Sequence, residues 1–204
     1  MEFNTAYMAS STSSWHLEAV GRVRLGWAER PKLDADRLHP CEQSWLERAG
    51  HRPERRSDWI AGRLGLALLL PAGAHVLAAA DGAPEVFGAG WTASVSHEDG
   101  WVAVGARAGA GRIAVDLVPD SAAPAAARAL ARVRLSGDAG SPAAAWAALE
   151  CAAKLRRVGV AVFLDRDVRL ARDGDRVAVD GLSRPAEVWL RRLPGALLAV
   201  GDEP

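Results

Sequence analysis

The sequence predicts an α+β fold built from two similar halves, and three observations carry this. Strand-like segments and proline-started helical segments run in the order strand, helices, strands, and the order then recurs. A hairpin signal stands in each half, Glu98-Asp99-Gly100 and Asp173-Gly174-Asp175. Between the halves lies the small-residue break Ala108-Gly109-Ala110-Gly111, so the expected units are 15–108 and 109–204. No repeat of fixed period is visible.

The elements follow in order. Residues 1–14 are polar, read as a disordered N-terminus or a vector-derived tag, and are left out of the fold. Residues 15–27 alternate in part and read as a first strand. His39-Pro40 starts a short helix to 49, and Pro53 opens a longer one to 70, stopped by Pro71-Ala72-Gly73. A short strand is expected over 74–79, then a turn at Asp81-Gly82-Ala83-Pro84. Strands 92–97 and 101–107 form the first hairpin. Residues 113–118 read as a buried strand, 125–135 as a helix, and 142–157 as a second helix after Pro142. Strands are then expected at 160–164, 168–171, 176–179, 187–192 and 196–200.

Bulk properties set limits. The charges balance at 25 basic and 25 acidic residues, which gives no bulk attraction to nucleic acid or membrane. The longest apolar run, 64–71, is far too short to span a bilayer, and no secretory signal pattern opens the chain. Cys41 and Cys151 form no metal-ligand spacing and read as reduced thiols of a cytoplasmic protein. A monomer is expected.

Three blocks carry candidate chemistry: Ser96-His97, Val115-Asp116-Leu117-Val118, and Trp146-Ala-Ala-Leu149-Glu150-Cys151-Ala-Ala-Lys154. On a helix Trp146, Glu150 and Lys154 share one face. On a strand Asp116 and Val118 point to one side. A strand carboxylate and a helix carboxylate can together hold a hard cation such as Mg2+, and a lysine beside them suits a phosphate.

Each residue also has a plainer reading. His97 alone is a hydrogen-bonded strand end, Glu150 and Lys154 an ordinary helical ion pair, Trp146 core, and Arg55, Arg56 and Arg63 a solvated helix face. Asp116 is harder to dismiss, because a carboxylate within Ile-Ala-Val-Asp-Leu-Val is costly to bury without a partner.

The order of these blocks resembles the surfactin-type 4′-phosphopantetheinyl transferases. That family has a Ser-His pair at a strand end, a Gly-Val-Asp-x-Glu strand, and a Trp-x-x-Lys-Glu-Ala-x-x-Lys helix. Gly82-Ala83-Pro84 is similar to its Gly-x-Pro element, and Arg55-Arg56-Ser-Asp-Trp-Ile-Ala-Gly62-Arg63 to its first long helix.

The resemblance implies two pseudo-symmetric α+β lobes with a site between them. It also implies transfer of the phosphopantetheinyl group of coenzyme A to a serine of an acyl or peptidyl carrier protein, as in polyketide or nonribosomal peptide biosynthesis. Asp116 and Glu150 would then hold Mg2+. Lys154 would neutralise a phosphate, and Glu150, or a water held near it, would take the serine proton. Ser96 and His97 would meet the 3′-phosphate, with Arg55, Arg56 and Arg63 adding phosphate contacts.

The chain departs from the family pattern at Val118, where an acid is expected, at Leu149, where a lysine is expected, and at Ala83, often basic in the family. Asp120 and Glu98 are the nearest replacement acids, though both also read as plain turn residues. On the resemblance, Val118→Glu would complete the acidic set. The alternative function is a relative that keeps the fold, lacks the transfer, and binds carrier proteins or acts on a carrier-bound acyl chain through His97, Asp116, Glu150 or Cys151.

Overall fold

In the computed structural model, which describes residues 15–31, 33–48, 53–79 and 82–203, the first expected strand is a hairpin. Strands β1 (His16–Val20) and β2 (Val23–Glu29) pair antiparallel. Gly21 turns the chain with φ +58°, a left-handed value that glycine adopts without a Cβ clash. The readings of residues 1–14 and of Asp81 lie outside the described residues. The fold is mixed α+β with several sheets. Two compact units divide between Arg112 and Ile113.

The first unit holds helices α1 (Pro40–Arg48) and α2 (Pro53–Leu69). Strands β3 (His75–Ala78) and β4 (Pro84–Phe87) form a two-stranded ribbon. Strand β4 was not expected: it opens with proline, which is tolerated at a strand's first residue. Strands β5 (Trp91–Glu98) and β6 (Trp101–Ala108) make the expected hairpin. Its Asp99 and Gly100 both have positive φ, 48° and 81°, as a two-residue type I′ turn requires. These strands give an antiparallel sheet in the order β1-β2-β6-β5.

Helix α2 packs on β2, β6 and β5. Two glycines allow its close approach. A Cβ at residue 62 would meet Val95 Cγ1 at 2.8 Å, and one at residue 65 would collide with the Trp15 ring. Glycine inside a helix costs about 1 kcal/mol relative to alanine, which the packing of Val95 and Trp15 offsets. At the helix end Arg24 of β2 donates to the Leu69 carbonyl at 2.5 Å, filling one of the acceptors that a helix C-terminus leaves open.

The second unit contains β7 (Arg112–Pro119), α3 (Ala123–Leu130), β8 (Arg134–Gly137) and α4 (Pro142–Leu155). It continues with β9 (Asp167–Asp173), β10 (Arg176–Asp180), β11 (Ala186–Leu193) and β12 (Ala196–Glu203). The six strands form one sheet in the order β7-β12-β11-β10-β9-β8, with β8 and β9 parallel.

Helix α4 is capped by the Ser141 hydroxyl, which accepts from the Ala144 N–H at 3.1 Å, and begins with Pro142. Its alanines let it lie low on β12 and β11. Its own Leu149 and Leu155, and Phe163 from the following segment, are fully enclosed in the core of this unit, each worth about 2 kcal/mol of apolar burial.

Two expectations fail in this unit. The helix expected over 125–135 stops at Leu130, and Leu135 pairs with Val168 in the sheet. The strand expected over 160–164 is a 3-10 turn, Val160–Phe163, whose apolar side chains pack into the α4 core. Burial decided that segment over β-propensity.

Candidate functional site

Asp116 stands on β7 between Val115 and Leu117, all three nearly inaccessible. Alternation along the strand sets Asp116 on the face of Ala114 and Val118, which belong to the core beneath α4. Lys154, in the last turn of α4, reaches that carboxylate: its Nζ donates to Asp116 Oδ1 at 2.7 Å and to the Val115 carbonyl at 3.1 Å. The lysine side chain is 35% exposed and the aspartate side chain 2%, so the pair is open on the lysine side only.

Burial works against the ammonium. The Asp116 carboxylate, its hydrogen bond and the neighbouring Glu150 outweigh it, and the Lys154 pKa is raised above its ordinary value. Glu150 is half-buried one turn earlier on the helix, with Trp146 a further turn back and packed against the core. Asp116, more than thirty residues away in sequence, and Glu150, one turn away, therefore both act on Lys154.

Cys151 lies within this group but is closed off. It is fully buried and its thiol donates to the Ala114 carbonyl at 3.5 Å. Burial, and then the Asp116 charge, push its pKa up. A thiol held neutral is a poor nucleophile, so the proposed action of Cys151 on an acyl chain has no support in its surroundings.

In the first unit His97 is the next-to-last residue of β5, on the face of Val95, towards α2. Its Nδ1 lies 3.4 Å from Asp58 Oδ2, and both side chains are well exposed. Asp58 escaped the sequence reading. The available signal was its position four residues before Gly62, the glycine that lets Val95 approach. Ser96 is buried and, as the next residue along a strand, points to the face opposite His97. The two side chains therefore do not converge on one point.

Arg55 and Arg56 are exposed on α2. Arg63 is not part of a solvated face. It is 5% exposed, with its guanidinium 4.8 Å over the Trp59 ring, which itself stacks on Trp45. Burial lowers its pKa to about 10, while the Glu42 carboxylate works in the other direction. Glu42, buried on α1, accepts from the Val76 and His39 backbone N–H groups at 2.8 and 3.1 Å.

Val118 and Leu149 are 4% and 0% exposed, so the positions where the resemblance expects an acid and a lysine are hydrophobic core. Asp120 pairs with Arg192 at 2.7 Å on the surface. Among the described residues no group of three or more His, Cys, Asp or Glu side chains is arranged to hold a metal ion. The donor set does not fit Mg2+ as it stands: the Asp116 carboxylate is enclosed and bonded to an ammonium. Among the described residues no helix is long and apolar enough to cross a membrane.

No protein-family model matches the chain, and comparison with curated proteins gives no match.

Proposed function

We propose that this protein is a coenzyme A-dependent transferase of the phosphopantetheinyl type, acting on a serine of an acyl or peptidyl carrier protein in the cytoplasm. One observation supports it above the others. Asp116 and Lys154, assigned to a common site by motif order alone, lie 2.7 Å apart, and Glu150 acts on the same ammonium.

In this reading the carrier serine hydroxyl attacks the phosphorus that bears the pantetheine arm. Its proton passes to Glu150, and the bond to the adenosine bisphosphate breaks. Lys154 has two of its three N–H donors taken by Asp116 and Val115 and offers the third to a phosphate oxygen. The resemblance assigns further phosphate contacts to Arg55, Arg56, Ser96 and His97. The reading carries with it the two-lobed, pseudo-symmetric transferase fold.

A second reading, a relative that binds carrier proteins without the transfer, is favoured by Val118 and Leu149, which belong to the core rather than to a polar subsite. Incubation of an apo carrier protein with coenzyme A and this protein, followed by intact-mass measurement, separates the two. A mass gain of one phosphopantetheine supports transfer. Carrier retained on the immobilised protein with no mass gain supports the second reading. A carrier that neither gains mass nor is retained rejects both.

A further inference from the structure

We infer that the Lys154 ammonium takes the place of a divalent cation between Asp116 and Glu150, so that the site works without bound metal. This rests on the coenzyme A reading only for the substrate; the exclusion of metal stands on the geometry.

Mg2+ and Mn2+ need about six oxygen ligands in near-octahedral array, with Mg2+ contacts at about 2.0–2.1 Å. Asp116 is 1% exposed and already binds an ammonium at 2.7 Å. A dication reaching that carboxylate would stand beside Nζ, and the like charges would repel. To enter, it would have to displace a lysine that the Val115 carbonyl also holds.

Val118 shuts off the next position on the same strand face with core packing, so no second strand acid can recruit the ion. The ammonium, by contrast, is already placed, needs no dehydration on arrival, and has Glu150 one turn away to balance it.

The test uses the full chain and Mn2+ as a spin probe, read by electron paramagnetic resonance without nucleotide. Wild type should leave Mn2+ free. Lys154→Met should bind it through the released carboxylates, and Mn2+ should raise the thermal midpoint of that variant but not of wild type. Mn2+ binding by wild type overturns the inference, as does a folded Lys154→Met that also ignores the ion.

If Lys154→Met does not fold, wild-type calorimetry with coenzyme A decides. Affinity unchanged between Mg2+ and EDTA supports the inference, and a loss of about tenfold or more in EDTA overturns it. Coenzyme A that fails to bind under either condition rejects the transferase reading, while the Mn2+ result on wild type still decides the metal question.

Discussion

Gly62 of α2 lies against Val95 of β5, close enough that any side chain at residue 62 would meet Val95 Cγ1 at 2.8 Å. That contact sets the height of the helix over the sheet. It also places Asp58, one turn earlier on α2, beside His97, two residues further along β5. A packing choice in the core thus fixes a polar pair at the surface.

Gly62→Ala should therefore destabilise the protein. The helix gains about 1 kcal/mol in propensity, but overpacking of a closed contact typically costs about 1–3 kcal/mol. A net loss of about 1 kcal/mol should appear as a lowered thermal midpoint. A raised midpoint would mean that α2 can lift from Val95 freely.

Asp116→Ala should lower stability by about 3 kcal/mol, the lower end of the cost of breaking a buried pair, since Lys154 keeps some contact with water. Asp116→Asn, which can still accept from Nζ, should cost less. Urea unfolding measures both. Equal stability of wild type and Asp116→Ala would show that the pair contributes nothing to the fold and that Asp116 is retained for other reasons.

Stability should fall in alkali. Burial pushes the Cys151 thiol up, so the folded chain keeps a proton that the unfolded chain releases above about pH 8.5. The raised Lys154 pKa acts the same way above about pH 10.4. Each raised group stabilises fully below its unfolded pKa and loses that contribution as pH rises towards its folded one. The slope is at most about 1.4 kcal/mol per pH unit per proton. Cys151→Ala should flatten the fall between about pH 8.5 and 10, where cysteine alone contributes. An unchanged slope in that variant would assign the effect elsewhere. Thiol labelling of the native protein should modify the exposed Cys41 and spare Cys151.

Local signals explain which features were legible in the sequence. The Asp99-Gly100 turn, the helix start at Pro142 and the buried Ile113–Val118 run depend on neighbouring residues, and all three stand as read. Strand β8 depends on β9, about thirty residues away, and the helical composition before it gave no stop signal. Residues 160–164 have strand composition, but the α4 core claims their side chains. In the site, spacing could pair Glu150 with Lys154. It could not show that Lys154 turns to Asp116, that Arg63 leaves the solvent for Trp59, or that Val118 and Leu149 are core.

Substituting the residues that the resemblance expects should not create a site. The motif alone suggested that Val118→Glu would add a metal ligand. In the structure it would place a carboxylate within the apolar core of the second unit, and Leu149→Lys would place an ammonium where no solvent reaches. An uncompensated buried charge costs several kcal/mol even after relaxation. Both variants should unfold at lower urea, and neither should gain transfer activity. A stable Val118→Glu protein with raised activity would show that β7 opens and that the closed packing is one of two states.

The three arginines of α2 should separate cleanly. Arg63 is buried over the Trp59 ring, so Arg63→Leu loses that contact and should cost about 1–2 kcal/mol, while Glu42 keeps its two backbone donors. Its effect on coenzyme A should be no larger than the loss of folded protein explains. Arg55 and Arg56 are exposed, so Arg55→Ser with Arg56→Ser should move stability by no more than about 0.5 kcal/mol per site. If these residues meet phosphate, the double variant should bind coenzyme A about tenfold more weakly, and rising salt should narrow the gap, because exposed charges are screened. Calorimetry at low and high salt reads the effect. Unchanged affinity in the double variant, with lost affinity in a folded Arg63→Leu, would move the phosphate contact inward to the tryptophan stack and overturn the assignment.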